Sequence, residues 1–202
     1  DRSVTVGKTT YPLPAFSFAI ATMNPVELGQ GTFPLSEAAM DRFAIMVNIG
    51  YLPPEEEARL VNFDFKKVHL NVLMPKERII ELRGQISKQV FLHERLGMYI
   101  QRLVAATRPY NQESDWHHRS PSELVERGVD LGASPRAIIC WGRLAKVWAL
   151  LQHGRDEVYP EDIQDLAPYI LSHRIWLGPH AASHGMTTEL VIKDVVERVP
   201  VP

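Results

Sequence analysis

Cysteine is almost absent from this chain. Cys140 stands alone, so neither an internal disulfide nor an all-cysteine metal site can form, the usual pattern of a reducing compartment. A large excess of either charge sign is also absent, with 22 Lys and Arg against 24 Asp and Glu. A net charge of -2 gives no general electrostatic footprint for nucleic acid or an anionic membrane. Apolar runs such as Ala15 to Thr22 fall far short of the roughly 20 residues needed to cross a bilayer. Asp1-Arg2-Ser3-Val4-Thr5-Val6 lacks the charged-then-apolar layout of a signal peptide, and a cytoplasmic location is the expectation. Repeats, low-complexity tracts and coiled-coil heptads are missing. No serine, cysteine or acid pair forms a legible hydrolytic triad, and Cys140 falls inside a helical pattern where a small core residue is the default.

A phosphate-cradling loop is missing too, although Gly7-Lys8-Thr9 imitates the end of one. Such a loop needs a second glycine five residues earlier and a helix directly after, so that backbone N–H groups wrap the phosphates. Position 2 is Arg2, and Thr10-Tyr11-Pro12-Leu13-Pro14 cannot open a helix cleanly. Val4 to Tyr11 instead alternates around a glycine turn, which predicts a short hairpin.

What is present begins with Phe16-Ser17-Phe18-Ala19-Ile20-Ala21, apolar nearly throughout and bounded by prolines. That pattern predicts a strand of a parallel sheet buried on both faces. It ends in Thr22-Met23-Asn24-Pro25, where open α/β sheets bind ligands; an ordinary Asn-Pro turn is the alternative. Ser36 and Glu37 open a short helix that delivers Asp41 and Arg42 to a second apolar strand, Phe43 to Ile49.

After Tyr51-Leu52-Pro53-Pro54 the pattern turns helical. Pro54 with Glu55, Glu56 and Glu57, and Pro75-Lys76-Glu77, are helix starts. Ile79, Ile80, Leu82 and Ile86 recur at helical spacing, and a further stripe carries Leu92, Leu96, Tyr99, Ile100, Leu103 and Val104, with Arg95 and Arg102 on the other side. Thr107-Arg108-Pro109 stops it. Tyr110 to Val129 reads as a solvated loop in which adjacent His117 and His118 do not face each other. The next helix has Ser134 as N-cap, Pro135 at its first position and Gly154 as C-cap, with Ile138, Trp141, Ala145, Trp148 and Leu151/Gln152 as its packing stripe. Arg136 sits in its first turn. A cation against the helix dipole costs a few tenths of a kcal/mol unless it meets an anion, so Arg136 is either a phosphate ligand or an exposed arginine without a partner. Pro160 opens another helix, in which Tyr159 replaces a side-chain cap at a cost of up to about 1 kcal/mol. His180 and His184 share helical spacing but are surrounded by Gly178, Pro179 and Gly185, which argues against an ordered metal site. Thr188 to Val199 predicts a last amphipathic helix.

Two segments about ninety residues apart, Ile20-Ala21-Thr22-Met23-Asn24-Pro25 through Asp41-Arg42-Phe43, and Gly132-Ala133-Ser134-Pro135-Arg136-Ala137, resemble the sensor 1, arginine-finger and sensor 2 elements of a MoxR-family AAA+ ATPase. Gly154 through Ile163 and Ser172-His173-Arg174 are similar to the family's C-terminal region. Met23 in place of the family's usual glutamine, and a longer Glu27 to Gly31 loop, are departures. The resemblance implies an α/β core remnant with parallel strands followed by a mainly helical lid, mostly α overall. The implied divisions are residues 1–52 as the C-terminal part of the core, 53–177 as the helical lid and 178–202 as a tail. It further implies that Asn24 orients the attacking water, that Arg42 is the finger acting in the neighbouring subunit, and that Arg136 contacts nucleotide in its own subunit. By sequence alone, Asp41 and Arg42 are equally an ordinary surface pair.

The implied cofactors are ATP and Mg2+, the metal's ligands lying outside this chain. The implied assembly is a homo-oligomer, a hexamer by the family's pattern, that remodels or activates client enzymes alongside a von Willebrand factor A domain protein. With the phosphate loop and magnesium-binding strand end missing, the chain reads as the C-terminal part of an ATPase, inactive alone. A stand-alone interaction module, and a related magnesium-chelatase or helicase motor, are the alternatives; the missing basic stripe argues against a nucleic-acid track.

Overall fold

The computed structural model describes residues 3–23, 35–110 and 119–202. By packing, the chain separates into two units: residues 1–32 with 48–85, and residues 33–47 with 86–202. This division runs across sequence order, because the segment around Asp41 joins the later helices.

The first unit opens with the expected hairpin. Strands β1 (Ser3–Val6) and β2 (Thr9–Pro12) pair antiparallel, Val6 opposite Thr9. Gly7 supplies the positive φ of 63° that the two-residue turn needs. Helix α2 (Pro54–Arg59) starts on the proline and three glutamates read from the sequence, and α3 (Lys76–Gln89) begins here and ends in the second unit. Residues 15–23 form no strand among the described residues, and Phe18 and Ile20 are about four-fifths exposed at 78% and 80%. Residues 43–49 likewise form no strand. Neither of the two expected parallel strands forms among the described residues. A strand exists only where a neighbouring strand supplies opposing N–H and C=O groups, and among the described residues no strand does so here. No helix is long and apolar enough to cross a membrane among the described residues.

The second unit holds the core. Helix α1 (Glu37–Met40) leads into it, and α4 (Glu94–Ala106), α6 (Pro135–His153), α7 (Pro160–Leu171) and α9 (Thr188–Arg198) build it, with short α5 (Glu123–Gly128) and α8 (Pro179–Ser183) beside them. Helix α4 buries the predicted stripe of Leu96, Tyr99, Ile100, Leu103 and Val104. Of the stripe predicted for the central helix α6, Trp141 and Ala145 are buried and Ile138 and Trp148 pack partly buried against the core, but Ala137 and Ala149 join the buried face and Leu151 is 71% exposed. Because α4 and α7 both pack on α6, its contact face is a row of alanines at four-residue spacing, which lets neighbouring backbones come close. Trp141 is the one large side chain in that row, and its indole N–H donates to the Ile163 carbonyl at 3.0 Å, satisfying a buried donor.

The caps read for α6 hold, whereas Ser36 precedes α1 without a side-chain cap bond. Gly154 takes the left-handed conformation at φ 64° and its N–H reaches Leu150, while the Arg155 N–H reaches Ala149, the double bond pattern that ends a helix cleanly. Tyr159 makes no side-chain cap at α7, but the Asp162 carboxylate accepts from the Tyr159 N–H at 2.7 Å, so the reciprocal half of a capping box replaces it. Arg155 locks that turn, bonding Asp162 at 2.7 Å and Glu161 at 3.0 Å and lying 4.1 Å over the Tyr159 ring. Two short strands, β3 (Val129–Leu131) and β4 (Trp176–Leu177), pair antiparallel and tie α5 to the end of α7. The loop expected over Tyr110 to Val129 is thus corrected at its end, where Glu123–Gly128 form α5 and Val129 opens β3; the strand needs a partner distant in sequence, which local pattern does not show.

Candidate active-site arginines on a shared carboxylate

The segment preceding α6 is fixed from the end of α4. Thr107 Oγ1 donates to the Val104 carbonyl at 2.7 Å and accepts from the Ala133 N–H at 2.9 Å, and Arg108 Nε donates to the Ala133 carbonyl at 2.9 Å. A side chain at Gly132 would meet the Thr107 carbonyl oxygen at 2.3 Å, so only glycine permits this backbone approach. Ser134 then caps α6, its hydroxyl accepting from the Arg136 N–H at 3.2 Å. Arg136 is thereby set at a defined point in the first turn.

Directly against it lies the turn after α1. Asp41 meets both the start of α6 and the end of α7. Ser134 Oγ donates to the Asp41 carboxylate at 2.8 Å from Oδ2, Arg136 Nη1 lies 3.1 Å from Oδ2, and Arg174 Nε lies 3.1 Å from Oδ1. Burial favours the neutral acid, but the Ser134 hydroxyl and the Arg136 and Arg174 guanidinium groups together outweigh it and hold the Asp41 carboxyl below its ordinary range. The negative charge offsets the cost of a guanidinium at the positive end of α6.

Arg174 is the deepest member, its side chain only 2% exposed. Besides Asp41 it donates to the Ala44 carbonyl at 3.3 Å and the Asp41 carbonyl at 3.2 Å, and also to the carbonyls of Phe43 and Ile170. One guanidinium so consumes backbone acceptors along residues 41–44, which form no strand of their own. His173 adds Nε2–H to the Phe43 carbonyl at 3.1 Å, Cys140 Sγ lies 3.4 Å from the Ala44 carbonyl, and the Met46 N–H donates to Tyr169 at 2.9 Å.

Burial, seconded by the Arg174 charge, pushes the His173 imidazole below its ordinary value, against the Phe43 bond and the Asp41 charge. A folded state that keeps the ring neutral has this contribution to stability in full above the unfolded imidazole value of about 6.5. It is lost as pH falls below that value through the lowered folded one. Thermal melts should therefore show the helical unit weakening from pH 7.5 to 5.5, and His173→Gln, whose amide N–H can still reach Phe43, should flatten that part of the dependence.

The Arg42 side chain is exposed and makes no hydrogen bond or ion pair among the described residues, its backbone N–H alone donating to the Ala39 carbonyl at 3.3 Å. The sequence alternative of an Asp41/Arg42 pair is thus replaced: Asp41 is committed to Arg136 and Arg174. Arg136, 58% exposed in its side chain, is not the partnerless arginine considered from sequence, and its bond to Asp41 uses one nitrogen. Asn24, the Glu27 to Gly31 loop and His117/His118 lie outside the described residues. Met23 is 45% exposed. His180 and His184 have ring centroids 4.2 Å apart, with His184 Nδ1 2.8 Å from the His180 carbonyl. Among the described residues no group of three or more His, Cys, Asp or Glu side chains is placed to hold a metal ion.

Two family models match the chain: the AAA lid domain over residues 122–195, and the ATPase family associated with various cellular activities (AAA) over residues 1–45. All 202 residues align with chaperone MoxR1 of Mycobacterium tuberculosis at 34% identity over 212 positions, and with protein MoxR of Methylorubrum extorquens at 30% over 215. The chain belongs to the MoxR family of AAA+ ATPases. It is also 36% identical over 205 positions to the uncharacterized protein YeaC of Bacillus subtilis. A crystal structure of a candidate ATPase from Cytophaga hutchinsonii superposes with a TM-score of 0.81 at 36% identity, covering all of this chain and 59% of that one. The chain spans 51% of MoxR1, 58% of YeaC and 60% of MoxR. As in the resemblance, the fold is mostly helical with a few short strands. Sequence reading did not give Arg174 a site role. Its basic Ser172-His173-Arg174 setting was visible, but its acidic partner stands 133 positions away.

Proposed function

We propose that this chain belongs to an ATP-hydrolysing, ring-forming MoxR-type machine that remodels or activates client proteins. The observation carrying this reading is the anchored turn: Asp41, Phe43 and Ala44 are fixed to the α6–α7 helices while Arg42 between them is exposed. A turn anchored on both sides of an unpaired guanidinium suits an arginine that must meet an anion supplied from outside, since it stays charged and forks onto phosphate oxygens. In this reading Arg42 reaches the nucleotide of the neighbouring subunit, Arg136 holds phosphate within its own, and Asn24 orients water. ATP with Mg2+ supplies the scissile phosphate, and the exposed Arg42 and Arg136 fit its charge. A hexamer, and a von Willebrand factor A domain partner that presents the client, complete the proposal.

The test separates the two subunits' roles in the complete protein. Arg42→Ala subunits and Arg136→Ala subunits should each turn over ATP poorly. Mixed, they should regain activity, because interfaces then form in which an intact Arg42 faces an intact Arg136. Turnover no higher in the mixture than in either parent would place both arginines in one subunit's site and refute the arrangement.

A further inference from the structure

We infer that Asp41 is a positioning residue shared by the two arginines, coupling the orientation of Arg136 to that of the turn bearing Arg42. The inference rests on the reading of Arg42 as a finger and Arg136 as a phosphate ligand, and deepens it.

Its basis is the division of labour around one carboxylate. Arg174 and Ser134 already satisfy both oxygens from the buried side, Arg174 Nε at 3.1 Å from Oδ1 and Ser134 Oγ at 2.8 Å from Oδ2. The Arg136 bond is added from the exposed side and engages Nη1, leaving its other N–H groups to be offered to a phosphate. Arg136 is oriented by this bond without being saturated. The same Asp41 backbone carbonyl is held by Arg174 at 3.2 Å, and the next residue is Arg42. A shift of the carboxylate therefore moves two things at once: the guanidinium at the start of α6 and the peptide that aims Arg42. Ser134 strengthens the link, since its hydroxyl both caps the Arg136 N–H and donates to Asp41. Signals pass here through a contiguous set of hydrogen bonds with one shared member, which makes coupling measurable by double-mutant cycles.

The experiment uses the complete protein with Asp41→Asn alone and combined with Arg42→Ala or Arg136→Ala, measuring kcat for ATP hydrolysis and Kd for a non-hydrolysable ATP analogue. Misplacing a guanidinium by about 1 Å can cost up to about 100-fold. Asp41→Asn should accordingly lower kcat about 10- to 100-fold where Arg42 is present, and less than about twofold where Arg42 is already alanine. In the same way it should weaken analogue binding where Arg136 is present and leave it within about twofold where Arg136 is alanine. Full additivity in either pair would mean that Asp41 serves the fold only and would overturn the coupling. If Arg42→Ala by itself hydrolyses ATP normally, the finger reading fails, and this inference with it; that result is distinct from additivity.

Asp41→Asn leaves the buried Arg174 without its charge partner, so a folding defect is an outcome to be anticipated. Asp41→Glu then decides. It keeps a carboxylate for Arg174 but displaces it by one methylene, and with circular dichroism unchanged it should still lower kcat only where Arg42 is present. Normal turnover by a folded Asp41→Glu protein would overturn the proposal.

Discussion

Arg174→Met should release the segment around Arg42 from the helical unit. The wild-type guanidinium is almost wholly buried and serves Asp41 plus the carbonyls of Asp41, Phe43, Ala44 and Ile170. Removing it strands several backbone acceptors and takes from Asp41 its buried charge partner, leaving only Ser134 and the more exposed Arg136; breaking a buried ion pair typically costs about 3–5 kcal/mol. The loss falls unevenly. The core around Trp141, Ile163 and Leu171 does not touch the guanidinium's charge, so the helices should stay folded while residues 35–47 loosen. Hydrogen exchange provides the direct reading, because the Met46 N–H bonds the Tyr169 carbonyl at 2.9 Å and ties the segment to α7. Its exchange should accelerate at least 100-fold in Arg174→Met with little change at Ala145 or Ala149 in α6, a local opening in the sense of a separate cooperative unit. Asp41→Leu added to Arg174→Met should recover part of the loss, because an apolar pair is less costly to bury than a carboxylate that has lost its buried partner. Unchanged protection at Met46 would mean that Arg174 is not what holds the segment.

How far the sequence revealed this arrangement depends on the range of the interaction that fixes each part. Ser134, Pro135 and Gly154 announced α6 because capping is satisfied within a few residues, and the hairpin at Gly7 was legible for the same reason. The stripe of α4 was legible because it packs on one side. The stripe of α6 was legible only in part, at Trp141 and Ala145: two helices press on it, and Ala137 and Ala149, which permit their approach, carry little hydrophobic signal compared with Leu151, which ends up outside. The runs 15–23 and 43–49 have the composition of buried strands, but pairing is a property of two segments and composition describes one. Arg42 and Arg136 stood out through their motifs. That one carboxylate joins Arg136 to the turn carrying Arg42, and that Arg174 anchors it, depends on contacts spanning 95 and 133 positions, which no local pattern encodes. Asp41 itself was read as a neighbour of Arg42, and the fold turns it the other way.

Arg42→Ala in the complete protein should reduce ATP turnover by at least about 100-fold while leaving analogue binding within a few-fold. An arginine that meets the migrating phosphoryl group contributes mainly where charge develops, and in phosphoryl-transfer enzymes such a residue is worth roughly 10³–10⁵ in rate. Binding should change little because that charge is largely absent from the ground state. The structure separates this effect from a folding effect: Arg42 is exposed and unpaired among the described residues, so its truncation removes no bond from the helical unit, and surface changes of that kind usually stay within about 0.5 kcal/mol. Arg42→Lys sharpens the distinction. It preserves charge but loses the planar fork, so it should recover only a minor share of turnover if two phosphate oxygens are gripped together. Equal turnover by Lys and Arg would indicate that position 42 contributes only a diffuse positive field. Equal turnover by Ala and Arg, with the oligomer intact, would remove Arg42 from the reaction altogether.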